Sequence, residues 1–243
     1  MNIIKGIFSF LWRCWFFLTF AIPFVILLPF TVFLTISAKL YPVLYFILHR
    51  QSKFMLYASG ILPRIKKEGK LDPNKQYLFI SNHTSTLDIP MMFYLSKKPL
   101  SFIGKESLVK WPIFGYYYRR FNVLVDRASL RNSYKAFEQA GQKIKEGQNM
   151  VIFPEGGIIN TTERLAKFKN GSFRLAVEQN VSIIPITFAD NKRIFPESYL
   201  KGRPKVARIS IHQPIDNCSS MTIDQLKQKV YNTIEQELIR YEN

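Results

Sequence analysis

The feature that most constrains this chain is an uncharged segment near its N-terminus. From Cys14 to Ala38, 25 consecutive residues carry no charge, and most of them are Phe, Leu, Ile, Val or Trp. At about 1.5 Å of rise per residue, a helix of this length crosses a hydrocarbon core of about 30 Å. A second apolar stretch, Leu40–Leu48, is too short to cross. We therefore predict a membrane anchor over residues 1–60 and a separate domain over residues 61–243.

Two prolines and the flanking charges bear on the form of this anchor. Pro23 and Pro29 each remove a backbone donor, which predicts a kink or break in the helix. Basic residues flank the segment on both sides, namely Lys5, Arg13, Lys39, Arg50 and Lys53. The positive-inside rule therefore assigns no orientation. We favour a broken helical hairpin embedded in one leaflet, with a transmembrane helix as the alternative. A cleaved signal peptide is disfavoured, because the segment exceeds the usual apolar length of about 7–15 residues.

The charge balance indicates an anionic partner. Lys and Arg number 34 against 17 Asp and Glu, which gives a formal charge of +17. Nucleic acid, an anionic membrane surface and a phosphorylated small molecule all satisfy this condition. Charge alone does not choose among them.

Cysteine and histidine are too sparse for a disulfide framework or a zinc site. Cys14 and Cys218 are far apart, and the three histidines are His49, His83 and His212. Two lone cysteines are compatible with a reducing cytosol. We predict neither a metal nor a redox cofactor.

After Gly60 the sequence alternates between short apolar runs and amphipathic segments. Six runs predict strands: Tyr77–Ser81, Leu100–Gly104, Phe121–Val125, Met150–Phe153, Ile183–Phe188 and Val206–Ile211. Apolar spacing of three and four residues predicts helices over 130–144 and 223–238. Thr222 and Gln225 give the second helix a capping-box start. This alternation predicts an α/β fold with a mixed or parallel sheet covered by helices, which binds ligands at the carboxyl ends of strands.

A candidate catalytic pair directly follows the first predicted strand. In Asn82-His83-Thr84-Ser85-Thr86-Leu87-Asp88, the hydroxyl-rich residues favour a turn into a helix. Such a turn allows Asp88 to reach His83, fix its tautomer and leave the other ring nitrogen to accept a hydroxyl proton. The alternative without a catalytic role is a loop histidine with a helix-capping aspartate. No Gly-x-Ser-x-Gly elbow is present, so direct transfer assisted by a base is favoured over a covalent intermediate.

The same segment resembles the His-x-x-x-x-Asp signature of the glycerolipid acyltransferases of the bacterial lysophosphatidate acyltransferase type. Further segments resemble that family's later blocks in the same order. They are Phe102-Ile103-Gly104-Lys105 with Trp111-Pro112 and Gly115, Val123-Leu124-Val125-Asp126-Arg127, Phe153-Pro154-Glu155-Gly156, Phe168-Lys169-Asn170-Gly171-Ser172-Phe173-Arg174-Leu175-Ala176 and Ile184-Pro185-Ile186. A series in this order, downstream of an apolar anchor, makes chance similarity improbable.

The resemblance implies a mixed, largely parallel sheet flanked by helices, and a fatty acyl donor that is acyl-CoA or acyl-carrier protein. It implies that Lys105, Arg127 and the turn Glu155-Gly156 line a pocket for the acceptor phosphate, which agrees with Lys and Arg as phosphate ligands. Where the family usually has Thr and Arg after this turn, the chain has Gly157-Ile158. The candidates to replace the missing ligand are Arg164, Lys167 and Lys169.

Together with the apolar anchor, the resemblance implies a membrane-bound acyltransferase that converts lysophosphatidate to phosphatidate in phospholipid biosynthesis. We expect it at the inner, cytoplasmic membrane, on an anionic lipid surface, with the catalytic domain on the cytosolic side. Because of Gly157-Ile158, another lysolipid such as a lyso-amino-acid lipid is an alternative acceptor. A non-catalytic membrane or nucleic-acid binding protein is the competing class. We do not expect nucleic-acid binding, since the aromatic residues concentrate in the N-terminal segment and at apolar periodic positions.

Overall fold

Helices and strands alternate along the chain after an N-terminal pair of helices. The computed structural model describes residues 3–111, 113–125, 130–159 and 163–243. The helices are α1 (Ile3–Leu34), α2 (Tyr41–Ala58), α3 (Asp88–Leu95), α4 (Phe114–Phe121), α5 (Leu130–Lys145), α6 (Gly171–Gln179), α7 (Asn191–Ile194) and α8 (Ile223–Glu242). The strands are β1 (Leu62–Lys67), β2 (Tyr77–Ser81), β3 (Leu100–Lys105), β4 (Val123–Val125), β5 (Asn149–Ile152), β6 (Ser182–Phe188) and β7 (Val206–Ile211). The predicted α/β class is confirmed.

Helix α1 continues through both of its prolines. The prediction of a break in the helix is wrong, because α1 stays helical from Ile3 to Leu34 with Pro23 and Pro29 inside it. Each proline removes one backbone hydrogen bond, and a helix of 32 residues retains those of the turns on either side. The chain reverses instead at residues 35–37, before α2 begins.

Helix α1 has one face on the protein and the rest of its surface exposed. Trp12 and Phe16 are buried in the core, whereas Ile7, Ile26 and Phe33 are more than half exposed. Within the part of the chain that the structure describes, α1 is the one helix long and apolar enough to cross a membrane. Exposed apolar surface of this extent is typical of an interaction with lipid or another protein.

The strands form one mixed sheet in the order β1-β7-β6-β2-β5-β3-β4, counted over the described ranges. From β6 to β4 every neighbouring pair is parallel, while β7 runs antiparallel to β6 and parallel to β1. The five parallel strands therefore end at the same edge of the sheet.

Helices cover both faces of this sheet, as alternation along β2 shows. Tyr77 and Phe79 join a core cluster with side chains of α1, α2 and α3. Leu78 and Ile80 point the other way and pack with side chains of α5, α6 and α8. Successive side chains of a strand face opposite sides, and burial of both sets explains why this strand has no polar residue before its end.

Three predicted strands differ from the structure by one residue at one or both ends, the predicted strand Phe121–Val125 starts two residues too early, and β1 is absent from the predictions. Phe121 belongs to the predicted strand that corresponds to β4, but in the structure it is the last residue of α4. Its ring stacks on that of Tyr41, with 4.5 Å between the ring centroids. Strand β1 was not predicted, because Leu62–Lys67 contains a proline and three basic residues. It lies at the sheet edge and pairs with β7, where exposed basic residues are ordinary.

Candidate active site

Four of the predicted site residues lie at or just after the carboxyl ends of neighbouring parallel strands. His83 comes just after β2, Glu155 and Gly156 follow β5, and Lys105 is the last residue of β3. Because β2, β5 and β3 are parallel neighbours, these residues lie at one edge of the sheet. This is the edge at which open α/β sheets bind ligands.

The structure brings His83 and Asp88 together. Nδ1 of His83 lies 2.8 Å from Oδ2 of Asp88. Residues 82–87 are not α-helical, and Asp88 begins α3. On a continuous helix, five residues would separate the two directions by about 140°, so the intervening turn makes the contact.

Backbone and side-chain donors hold the Asp88 carboxylate, which is fully buried. Its Oδ2 accepts hydrogen bonds from the N–H groups of Thr84 at 2.8 Å and Ser85 at 3.0 Å. Its Oδ1 accepts one from Nδ2 of Asn191 at 2.7 Å. A carboxylate surrounded by donors acts as an acceptor, which assigns the ring proton of His83 to Nδ1. Nε2 is then the nitrogen with a free lone pair.

The His83 ring is fixed on one face and partly open to solvent. It stacks on Phe153, with 4.0 Å between centroids and 17° between planes. Its side chain is 14% exposed, whereas that of Asp88 is 0% exposed. The pair thus has a sealed carboxylate and an accessible imidazole, as a general base requires.

Glu155 supports the same turn from β5. Its buried carboxylate accepts a hydrogen bond from the backbone N–H of His83, with 2.6 Å between N and Oε1. Burial raises the pKa of Glu155 to about 7, and the nearby charge of Asp88 acts in the same direction. The side chain therefore faces the backbone of the turn.

A cavity of about 250 Å³ lies beside this turn. Ser85 and Thr86 line it from the turn, Arg13 and Phe17 from α1, and Tyr199 from the segment after α7. The apolar N-terminal helix therefore borders a cavity that is also lined by Ser85 and Thr86 of the turn between His83 and Asp88.

Comparison with known proteins adds to this geometry. Residues 63–189, just over half of the chain, match the family model described as Acyltransferase. The chain belongs to this acyltransferase family. The resemblance drawn from the sequence motifs is thereby confirmed.

Relatives of this chain include acyltransferases that are named for two kinds of lipid acceptor. A 1-acyl-sn-glycerol-3-phosphate acyltransferase of Chlamydomonas reinhardtii is 30% identical over 181 residues, which are 72% of this chain and 53% of the relative. A lyso-ornithine lipid O-acyltransferase of Pseudomonas aeruginosa is 28% identical over 126 residues, 52% of this chain and 48% of the relative. The chain thus spans about half the length of these two relatives.

A solved structure shares the fold of this chain from end to end. The crystal structure of PlsC, the 1-acyl-sn-glycerophosphate (LPA) acyltransferase of Thermotoga maritima, matches with a TM-score of 0.81 at 20% sequence identity. The match covers 100% of this chain and 98% of that chain. At this identity the likeness establishes the common fold.

The other residues predicted to bind the acceptor differ from one another in their surroundings. Lys169 is exposed, and a Cβ built on Gly156 would lie 2.7 Å from its Nζ, so these two residues are adjacent. Lys105 is exposed at the end of β3. Arg127 lies outside the described residues. Among the candidates to replace the missing ligand, Arg164 pairs with Glu242 at 2.7 Å, and Lys169 lies beside the Glu155-Gly156 turn.

Asn191 is a residue of the site that the sequence analysis did not predict. It lies 103 residues after Asp88, and both residues are fully buried. The available signal was its position three residues beyond the end of β6, at the carboxyl edge of the parallel strands.

Proposed function

We propose that this acyltransferase moves a fatty acyl group from acyl-CoA or acyl-carrier protein to the free hydroxyl of lysophosphatidate, giving phosphatidate. The observation that carries the proposal is the 2.8 Å contact between His83 and Asp88 at the ligand-binding edge of the sheet. Family membership and the lysophosphatidate acyltransferase among the relatives support the reaction class.

In the proposed reaction His83 is the general base. Its Nε2 removes the proton of the acceptor hydroxyl as that oxygen attacks the thioester carbonyl carbon. Asp88 stabilises the imidazolium that forms. The carbon–sulfur bond then breaks, and the leaving sulfur takes the proton from the imidazolium. An ester and a free thiol result, and the imidazole returns to its starting state.

We assign acceptor binding to the basic residues that the family resemblance indicates and to the turn after β5. Lys105, Arg127 and Lys169 would neutralise the acceptor phosphate, and the turn Glu155-Gly156 would shape the pocket. The position of Lys169 beside Gly156 supports its assignment as the cation that compensates for the missing Arg after the turn.

A second acceptor class has specific support. Gly157-Ile158 depart from the usual motif, and one relative is named as a lyso-ornithine lipid O-acyltransferase. An amino-acid lipid carries no phosphate monoester, so it has less need of the missing cation. A lyso-amino-acid lipid is therefore the alternative acceptor.

We further propose that residues 1–60 anchor the enzyme to the inner, cytoplasmic membrane, with the catalytic domain of residues 61–243 on the cytosolic side. The exposed apolar surface of α1 supports membrane attachment. The formal charge of +17 supports attraction to an anionic lipid surface and to an anionic donor.

The test is an acyl-transfer assay on purified full-length protein. Lysophosphatidate and lyso-ornithine lipid are each offered with labelled acyl-CoA and labelled acyl-carrier protein. We expect phosphatidate from the wild type and no transfer from His83→Ala, with His49→Ala as the matched control that keeps its activity. Transfer to lyso-ornithine lipid alone would select the alternative acceptor. Near-normal turnover by His83→Ala would refute the base.

A further inference from the structure

The contact between Asn191 and Asp88 is a side-chain hydrogen bond inside the protein. Nδ2 of Asn191 lies 2.7 Å from Oδ1 of Asp88, and both residues are 0% exposed. The opposite oxygen of the carboxylate, Oδ2, is the one that contacts His83. Asn191 and His83 therefore hold the two ends of the same carboxylate.

The orientation of the Asn191 amide is dictated by the carboxylate. Oδ1 of Asn191 is buried and has no hydrogen-bond partner among the described residues. Turning the amide over would bring this oxygen against Oδ1 of Asp88, and two acceptors repel. A buried polar atom without a partner is costly. Oδ1 of Asn191 bears this cost, while Nδ2 of the same amide donates to Asp88.

The segment that carries Asn191 is itself firmly attached. Asp190 pairs with Arg208 at 2.7 Å, and hydrogen bonds from Arg208 outweigh burial, so the pKa of Asp190 lies below its usual value. At the other end, the carbonyl of Phe195 accepts a hydrogen bond from Oγ of Ser85 at 2.6 Å. The same short segment thus contacts the catalytic turn at two points.

We propose that Asn191 is a positioning residue, which holds the Asp88 carboxylate in the rotation that keeps Oδ2 on Nδ1 of His83. This inference rests on the proposed acyl transfer, and it deepens that proposal by adding a third residue to the pair. Asn191 acts through Asp88 and has no contact with substrate in this assignment. Without the amide donor, the carboxylate is held only at Oδ2, by the N–H groups of Thr84 and Ser85 and by His83, so its rotation about the Cβ–Cγ bond is less restricted and the imidazole is oriented less firmly.

The central test is Asn191→Leu in the full-length enzyme. Leucine has a similar volume, lacks the donor and also removes the unpartnered oxygen. We expect kcat to fall roughly 10-fold to 100-fold. This is the range found when a residue that orients a metal ligand is lost, and Asn191 orients Asp88 in the same way. The KM for the acceptor should change by less than about twofold, because binding is not affected. Turnover is divided by the folded fraction from circular dichroism, so that partial unfolding is not counted as lost catalysis.

Asn149→Leu is the matched control. Asn149 is also buried, and its Oδ1 accepts a hydrogen bond from the N–H of Tyr77 at 2.9 Å. It begins β5 and therefore lies at the opposite edge of the sheet. We expect kcat per folded molecule to stay at the wild-type value in this variant, which shows that losing a buried asparagine does not by itself slow the reaction.

A double-mutant cycle with Asp88→Asn tests whether Asn191 acts through Asp88. In the Asp88→Asn background, adding Asn191→Leu should lower kcat by less than about twofold. A full additional loss there, or a wild-type kcat in Asn191→Leu alone, overturns the positioning role while leaving the proposed function intact. If Asn191→Leu does not fold, Asn191→Ala is used with the same criteria. Absence of acyl transfer by the wild type to every acceptor overturns both proposals.

Discussion

The backbone N–H of His83 donates to Oε1 of Glu155 across 2.6 Å, which joins the turn after β2 to the turn after β5. The two residues are 72 positions apart in the chain. Burial of Glu155 raises the pKa of its carboxyl from 4.5 to about 7, even though the His83 N–H favours the charged form. The pKa of the carboxyl group that holds the His83 turn therefore lies near neutral pH.

The raised pKa predicts that Glu155 makes stability depend on pH. Below pH 4.5 the carboxyl is protonated in both the folded and the unfolded protein, so it imposes no penalty. As the pH rises towards 7, the unfolded chain ionises first, and the folded state loses stability relative to it. The full loss is roughly 3.5 kcal/mol, at about 1.4 kcal/mol per unit of pKa.

Glu155→Gln isolates this contribution, because the amide oxygen can still accept the His83 hydrogen bond and cannot ionise. Thermal melting of both proteins is followed from pH 4.5 to pH 7.5, a window set by the two pKa values. We expect the wild type to lose stability relative to the variant as the pH rises. Parallel melting curves over this whole range would show that the carboxyl is not perturbed.

Gly156 gives a second prediction, which concerns Lys169. Gly156 has φ +86°, and an added Cβ would lie 2.7 Å from Nζ of Lys169. Gly156→Ala should therefore cost about 1–2 kcal/mol in stability, because a non-glycine residue is strained at this φ, and should also displace the amine. Gly147→Ala is the control, since Gly147 has φ +88° but its nearest neighbouring atom is 3.9 Å away. We expect the KM for a phosphate-bearing acceptor to rise in Gly156→Ala and to stay unchanged in Gly147→Ala.

The parts of this fold that the sequence predicts are those set by local pattern. The apolar run Tyr77–Ser81 matches β2 at both ends because the strand is buried on both faces, and Thr222 with Gln225 forms the expected capping box. The approach of His83 to Asp88 depends on one short turn. In contrast, β1 is held by its pairing with β7, and its basic composition does not predict a strand.

Two contacts of the site that sequence reasoning missed are long-range. Glu155 reaches His83 because β5 lies beside β2, and Asn191 reaches Asp88 because β6 lies on the other side of β2. The order of strands in the sheet determines both contacts. No local window of the sequence contains that order, so a residue such as Asn191 could be suspected only from its place just after a strand.

Asp88→Asn provides the third prediction and tests the orientation of the imidazole. The amide has one donor end, which would face either Nδ2 of Asn191 or the proton on Nδ1 of His83. The first arrangement is relieved when the Asn191 amide turns over and offers its unpartnered Oδ1, so an oxygen still faces His83. That neutral amide oxygen stabilises the imidazolium less than the carboxylate does. We expect kcat to fall by about 10³-fold to 10⁴-fold, with little change in KM. Asp72→Asn, at an exposed loop position, should keep full activity. Turnover within twofold of the wild type in Asp88→Asn would exclude the pair as catalytic.

The fourth prediction concerns Arg13, a buried charge that attaches α1 to the segment after α7. Its Nε donates to the carbonyl of Lys201 at 3.0 Å, a second nitrogen donates to the carbonyl of Pro196, and the guanidinium lies 4.2 Å from the ring centroid of Phe195. Arg13→Met keeps an apolar stem but leaves both carbonyls without this donor, which should cost about 1–3 kcal/mol and lower the melting temperature. Arg174→Met is the control, since that exposed side chain contributes only a 3.6 Å surface pair with Glu178. Melting in detergent should separate the two variants clearly, and equal melting temperatures would show that α1 is not held through Arg13.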